Sequence, residues 1–311
     1  MSYRWWSSCR TNTGRVRQVN EDAFLDQGNI GIWIVADGMG GHARGDVASR
    51  TIIDAFKGLS RPSSLDEFAV EVRCRLKLAH RLVKEESVRN GANLIMGSTV
   101  VALLVFKRQW LCLWAGDSRA YLLRDGQLLQ ITKDHSIAQE LVDLGKLSRT
   151  EMDSHPYANH ITRAIGANPE LILDERSSQL RDGDTILLCS DGLNKELSDT
   201  EIAKVLMSYD SEAATQELID LSLEHGGRDN ITVALIRFEE TTGFHEPVSE
   251  DTAVNFEIVR NNLGAKEDAI FLQLRAMACT DPPGDQLVEL GTEINDQNHR
   301  LPLRSIYNDE K

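Results

Sequence analysis

Thr99-Val100-Val101-Ala102-Leu103-Leu104-Val105-Phe106, then Lys107-Arg108-Gln109, then Leu111-Cys112-Leu113-Trp114-Ala115, is the stretch on which the fold class turns. Two short apolar runs rich in Val and Leu flank a polar break of hairpin length. Ala120 to Leu123 and Leu128 to Thr132 repeat the pattern around Asp125-Gly126, a dipeptide suited to a tight turn. Strands joined this closely pair antiparallel. Ile30 to Ala36, Thr185 to Cys189 and Ile231 to Phe238 read as further buried strands. Between them the spacing turns helical. Leu65, Phe68, Val72, Leu76, Ala79 and Val83 recur at three and four residues. Ser63-Ser64 precede that run, and Asp66 and Glu67 stand in its first turn. Helices are also expected over 46–59, 200–207 and 212–224. The order lacks regular βαβ alternation, so the expected class is α+β.

The chain has 311 residues, 41% of them hydrophobic and 26% charged. That is ordinary globular composition, with enough length to bury a sizeable core. Against 34 Lys and Arg stand 48 Asp and Glu, a net charge of −14. A broad basic surface for nucleic acid is excluded on that balance. Residues 242–311 hold 13 acidic and 6 basic residues and so carry half of the net charge. The pattern weakens past Phe238, and Thr241-Thr242-Gly243 with Pro247 reads as a linker. We therefore divide the chain into a folded domain, 1–241, and an acidic extension, 242–311, expected to be partly disordered or regulatory. Within the domain, 134–170 is polar, with His135, His155 and His160, and reads as a lid beside a site. The five cysteines are scattered and form no CxxC pair, which argues against a disulfide scaffold or a thiolate zinc site. The opening residues lack the apolar core of a signal peptide, and no run approaches a membrane span. The expected setting is a reducing cytoplasm, without membrane partners.

The chemical signal is where the aspartates fall. Ile32 to Ala36 runs into Asp37-Gly38, and Leu111 to Gly116 runs into Asp117. Ile186 to Ser190 runs into Asp191-Gly192, and Asp229-Asn230 opens directly onto Ile231. Carboxylates beside a core are costly unless paired or bound to a cation. If the strand ends converge, they make an all-oxygen site for Mg²⁺ or Mn²⁺. The competing reading takes each Asp-Gly as a turn, which those residues also suit. Arg17, Asn20, Glu21 and Asp22 likewise allow two readings. One is a surface ion pair of Arg17 with Glu21 on a helical turn, worth little. The other is a guanidinium that forks onto phosphate oxygens beside acids holding metal-bound water. Asp37-Gly38-Met39-Gly40-Gly41-His42 lacks the order of a nucleotide phosphate loop. It reads as close backbone approach to a ligand, with a glycine carbonyl facing a metal. His42 has no partner at zinc spacing and reads as structural or supporting.

These residues belong to a longer ordered set. It comprises Arg17-Gln18-Val19-Asn20-Glu21-Asp22, Val35-Ala36-Asp37-Gly38-Met39-Gly40-Gly41-His42 and Gly97-Ser98-Thr99. Ala115-Gly116-Asp117-Ser118-Arg119-Ala120-Tyr121, Thr132-Lys133-Asp134-His135-Ser136 and His160-Ile161-Thr162-Arg163-Ala164-Ile165-Gly166 follow. Leu188-Cys189-Ser190-Asp191-Gly192-Leu193 and Arg228-Asp229-Asn230-Ile231-Thr232 complete it. In this order, over roughly residues 8–238, the chain resembles the bacterial PP2C (PPM-type) metal-dependent serine/threonine protein phosphatases. The resemblance implies a four-layer αββα sandwich of two antiparallel sheets flanked by helices, with a binuclear Mn²⁺ or Mg²⁺ centre at one edge. By motif, Asp37 bridges the metals, the Gly38 carbonyl binds the second, and Asp191 and Asp229 bind the first. Glu21 and Asp22 act through water, Asp117 joins Asp191 in a third site, and Arg17 grips the substrate phosphate. Residues 134–166 become a flap that influences substrate choice. The implied reaction is hydrolysis of phosphoserine and phosphothreonine by metal-activated water. Animal members carry a His where this chain has Met39. The general acid is thus unassigned, with a metal-bound water the first choice and His42 or His160 weaker ones.

Two alternatives differ in class. One is another metal-dependent phosphoester hydrolase, such as a nuclease, which the low Lys and Arg content disfavours. The other is an inactive phosphatase-like sensor or scaffold, which should lack a metal acid, whereas Asp37, Asp117, Asp191 and Asp229 are all present. The implied partners are phosphorylated Ser/Thr proteins and a cognate Hanks-type kinase. The Trp5-Trp6-Ser7-Ser8 opening is similar to members linked to type VI secretion.

Overall fold

The computed structural model describes residues 2–40, 44–89, 96–152, 155–157 and 160–241. His42 and the extension 242–311 lie outside the described residues. The elements run β1 (Ser2–Asn12), β2 (Asp22–Gln27), β3 (Ile32–Gly40), α1 (Gly45–Asp54), α2 (Leu65–Arg89), β4 (Met96–Ser98), β5 (Val100–Phe106) and β6 (Gln109–Ala115). They continue as β7 (Arg119–Arg124), β8 (Gln127–Gln130), α3 (Ile137–Asp143), α4 (Arg149–Met152), β9 (Asp174–Gln179) and β10 (Thr185–Cys189). Last come α5 (Asp191–Asn194), α6 (Asp199–Ser208), α7 (Ser211–Glu224) and β11 (Ile231–Thr241).

Two antiparallel sheets result. One has the order β1-β11-β10-β7-β8, and the other β2-β3-β5-β6-β9 with β4 added to β3. Trp33, Val35, Leu103 and Trp114 from the second sheet meet Leu122, Ile186, Ala234 and Phe238 from the first in an apolar layer between them. The alternate residues of the same strands face outward. Ile34, Ala102 and Leu113 lie under Ile52 of α1 and Phe68, Val72 and Leu76 of α2. Tyr121, Leu187 and Val233 lie under Leu193, Ile202 and Leu218 of α5, α6 and α7. Both faces of the central strands are therefore covered, which is why those strands read as near-continuous apolar runs. The α+β four-layer expectation is met.

The turns follow their chemistry. Asp125 and Gly126 both take positive φ, 52° and 75°, which matches the right-handed strand twist of a two-residue hairpin. Some expected bounds move. The strand from Ile32 does not end at Asp37 but runs on to Gly40, because Gly38 to Gly40 pair with β4. The helix expected over 46–59 stops at Asp54. The lid segment is tied at both ends. Asp134 receives a forked ion pair from Arg119, and Ile165 exchanges backbone hydrogen bonds with Ser98. Asp134, His135, Ser136, Ala164 and Ile165 are buried, so these ends belong to the body of the protein rather than to an exposed insertion. Cys9, Cys112 and Cys189 are free, whereas Cys74 is disulfide-bonded, which corrects the expectation of a fully reduced set. Among the described residues no helix is long and apolar enough to cross a membrane.

Candidate metal centre

The acids converge at the edge where β2, β3, β6, β10 and β11 expose their ends. Asp22 opens β2 and stands directly across from Asp37 in β3. Asp117 follows β6, Asp191 opens α5 straight after β10, and Asp229 precedes β11. Burial, and then the charges of Asp22, Asp191, Asp117 and Asp229, hold the Asp37 carboxyl well above its ordinary pKa. Burial raises Asp22 to about 7, although hydrogen bonds from Thr232 and Ser190 pull the other way. Burial and the neighbouring Asp191 and Asp134 raise Asp117 to about 8. Asp191 is also raised by burial, against the opposing pull of Lys195.

Backbone geometry holds these groups. Thr99 N donates to the Asp37 carbonyl at 2.9 Å, and Asp37 N donates to Thr99 Oγ1 at 3.1 Å. Ser190 Oγ and Thr232 Oγ1 each donate to Asp22 Oδ2 at 2.7 Å. Asn230 fastens the loop before β2. Its Oδ1 accepts from Glu21 N at 2.8 Å, and its Nδ2 donates to the carbonyls of Thr13 at 2.8 Å and Val19 at 3.0 Å. Glu21 Oε1 accepts from Gly45 N, at the start of α1, at 2.9 Å. The segment carrying Arg17 consists of turns, not a helix, and Arg17 pairs with Asp229 instead of Glu21. Its Nε and Nη2 reach Asp229 Oδ1 and Oδ2 at 2.9 and 3.1 Å. Lys195, which sequence reasoning passed over, sits 2.5 Å from Asp191 Oδ2 and 3.5 Å from Asp229 Oδ2. Its i,i+4 spacing from Asp191 was the available signal. Asn230 was visible within a motif, but its three bonds join segments some 210 residues apart in sequence.

Asp117, Asp191, Lys195 and Asp229 line a cavity of about 340 Å³, together with Asp134, Glu196, Arg228 and Met152. Met39 pairs with Gly97 on β4, and His160 packs edge-on against Tyr157; neither lines this cavity. The donor set fits a hard cation. Asp22 Oδ1, Asp117 Oδ1 and Asp191 Oδ1 are buried carboxylate oxygens with no hydrogen-bond partner. Leaving such atoms unpaired costs free energy that a divalent ion bound by oxygen would offset. Among the described residues no group of three acids, imidazoles or thiols already closes into a metal cage. The positive charge beside Asp191 and Asp229 is that of Lys195 and Arg17.

Residues 11–225 match the family model described as Protein phosphatase 2C. The chain is 37% identical over 239 residues to the serine/threonine phosphatase Stp of Listeria welshimeri, covering 73% of this chain and 93% of that one. Among solved structures it is similar to PppA, a key regulatory component of T6SS in Pseudomonas aeruginosa. Identity there is 43% and the TM-score 0.70, over 76% of this chain and 98% of the other. It is also similar to the catalytic domain of the phosphatase PstP in complex with two manganese ions. That match has 33% identity and a TM-score of 0.70, over 77% of this chain and 100% of that one. A match of this extent, on a sandwich whose buried carboxylates meet at one edge, makes the chain a member of the protein phosphatase 2C family of serine/threonine phosphatases.

Proposed function

We propose that this phosphatase hydrolyses phosphoserine and phosphothreonine in proteins with two divalent cations, Mn²⁺ or Mg²⁺, held at the carboxylate edge. The carrying observation is the set of three buried carboxylate oxygens, on Asp22, Asp117 and Asp191, that no protein group satisfies. In this reading Asp37 would serve both ions, the Gly38 carbonyl would hold one of them, and Asp191 and Asp229 would hold the other. Asp117 with Asp191 offers a third, weaker position. Glu21 and Asp22 orient the surrounding water. When bound, such cations supply an activated water and neutralise phosphate charge. Arg17 keeps the phosphate in line for attack, its planar fork suiting two phosphate oxygens. Among the described residues no histidine lines the cavity in place of the one missing at Met39, and a water held by a bound cation would supply the proton that the leaving oxygen takes.

The finer biology belongs to the same proposal. Residues 1–241 act as the phosphatase domain, with 134–166 as the flap, and the acidic 242–311 as a regulatory or docking extension. The opposing enzyme is a Hanks-type kinase. The 43% identity to the Pseudomonas protein supports a place in type VI secretion signalling. Cytoplasmic location is supported by the free Cys9, Cys112 and Cys189 and opposed by the bonded Cys74.

The test is phosphate release from a phosphothreonine peptide with Mn²⁺, with Mg²⁺ and with EDTA, for wild type and Asp191→Ala. Release should require metal. Losing a ligand that serves transition-state charge should lower kcat/KM by about 10³-fold or more, equivalent to several kcal/mol. Folded wild type that releases nothing with either metal would overturn the catalytic reading in favour of a sensor or scaffold.

A further inference from the structure

We propose that Lys195 is a built-in cation that competes with the divalent metal for Asp191 and Asp229, and so sets how tightly this chain takes up its ion. The inference rests on the metal-dependent reading above and deepens it. Lys195 follows the single turn of α5, and its backbone N donates to the Asp191 carbonyl at 2.9 Å. That turn fixes its side chain on the same face as Asp191. Its Nζ stands 2.5 Å from Asp191 Oδ2 and 3.5 Å from Asp229 Oδ2. These are two of the five carboxylates that line the cavity with it. Ammonium and metal ion cannot use the same lone pairs, so an ion that takes Asp191 and Asp229 together has to displace Lys195.

The geometry suits displacement. Asp191 keeps its second oxygen, Oδ1, buried and unpaired, a first foothold for an incoming ion. Lys195 is 32% exposed and borders the cavity, so its flexible stem has room to withdraw. Arg228 borders the same cavity, but its guanidinium is held by both oxygens of Glu196 at 2.9 Å and touches no metal acid. Arg17 forks onto Asp229 alone, at 2.9 and 3.1 Å, whereas Lys195 reaches both Asp191 and Asp229. The expected result is a metal affinity weakened by the work of separating Lys195 from its acids. A charge-assisted pair of this kind corresponds to about tenfold or more in affinity.

Calorimetric titration of Mn²⁺ into the full chain tests this without reference to activity. Lys195→Met should bind Mn²⁺ about tenfold tighter than wild type, a difference of about 1.4 kcal/mol. Lys195→Arg, which keeps the charge, should stay within about threefold of wild type, and Arg228→Gln within about twofold. Equal affinities for wild type and Lys195→Met, or an equal gain in Arg228→Gln, would overturn the competition. Because Lys195→Met removes the cation between two acids and so burdens folding, a wild-type measurement stands beside it. Labelling of Lys195 by an amine-directed acylating reagent, read by peptide mass spectrometry, should rise when Mn²⁺ is added. Unchanged or reduced labelling under saturating Mn²⁺ would also overturn it. Absence of any Mn²⁺ binding to folded wild type would instead remove the metal reading itself.

Discussion

Asn230 holds the site together with one small side chain. Its three hydrogen bonds, to Glu21 N and to the Thr13 and Val19 carbonyls, hang the Arg17 loop on the start of β11. Removing an oriented partner behind a site commonly costs about 10–100-fold in activity or metal affinity. Asn230→Ala should therefore lose about that factor in kcat/KM on a phosphothreonine peptide, with the larger share in KM if phosphate grip by Arg17 is what suffers. An unchanged KM with a normal kcat would show that the loop stays in place without it. Gly192 is fixed by contact instead of bonding. A methyl there would overlap the Asn230 carbonyl oxygen, and backbone on that side cannot give way without moving Asp229. Gly192→Ala should cost at least about 3 kcal/mol, read as a lower urea midpoint, since overpacking against backbone lies at the upper end of such effects. A midpoint equal to wild type would mean that α5 shifts freely.

Between elements, the buried ion pair from the end of β7 to the residue before β10 has a different task. Asp184 is wholly buried, takes Arg124 Nε at 2.7 Å and Nη2 at 2.6 Å, and also accepts from Arg181 N at 2.8 Å. It lies at the end of the sheet away from Asp191, since Thr185 pairs with Leu123 while Cys189 pairs with Arg119. Arg124→Met strands that carboxylate, and breaking one half of a buried pair costs about 3–5 kcal/mol. Thermal unfolding should shift down sharply while kcat stays at the wild-type value; a fall in kcat at unchanged stability would contradict this division of labour. The same strands show what a sequence reveals. β5, β6, β10 and β11 were legible because both of their faces are covered and their side chains are apolar throughout. β9, Asp-Glu-Arg-Ser-Ser-Gln, is a polar, largely exposed edge strand held by pairing to β6, and β1 mixes Arg and Ser with Trp. β9 carries no hydrophobic period and is held by pairing, while β1 turns Tyr3, Trp5 and Cys9 to the inner layer but interrupts that alternation with Ser7 and the outward Trp6. The acids were visible for the opposite reason: a carboxylate abutting an apolar run is conspicuous in one dimension. What Lys195, Ser190, Thr232 and Asn230 do to those acids depends on strands that meet only in three dimensions.

For the whole molecule, the acidic edge makes folding depend on pH. Asp22, Asp37, Asp117 and Asp191 all have folded pKa values above the ordinary carboxyl value of 3.8, chiefly through burial. A group raised on folding binds more protons in the folded chain than in the unfolded one. Its contribution is fully present below the unfolded value and is lost as pH rises through the folded value. With Asp22 at about 7, Asp117 at about 8 and Asp37 well above its ordinary value, the loss continues from pH 4 to beyond 8. His80 and His135 work in the other direction, because burial lowers both below 6.5, so their effect ends before neutrality. Between about pH 7 and 9 the acids should therefore dominate. In EDTA the melting temperature should fall steadily across that range. Mn²⁺ should flatten the slope, because a divalent ion meets the same carboxylates without a proton and stabilises the fold by mass action. The measurement is differential scanning calorimetry of the full chain at four pH values with EDTA or Mn²⁺. A melting temperature in EDTA that stays level or rises from pH 7 to 9 would mean that these acids are already ionised in the folded protein, compensated by Lys195, Arg17 and solvent.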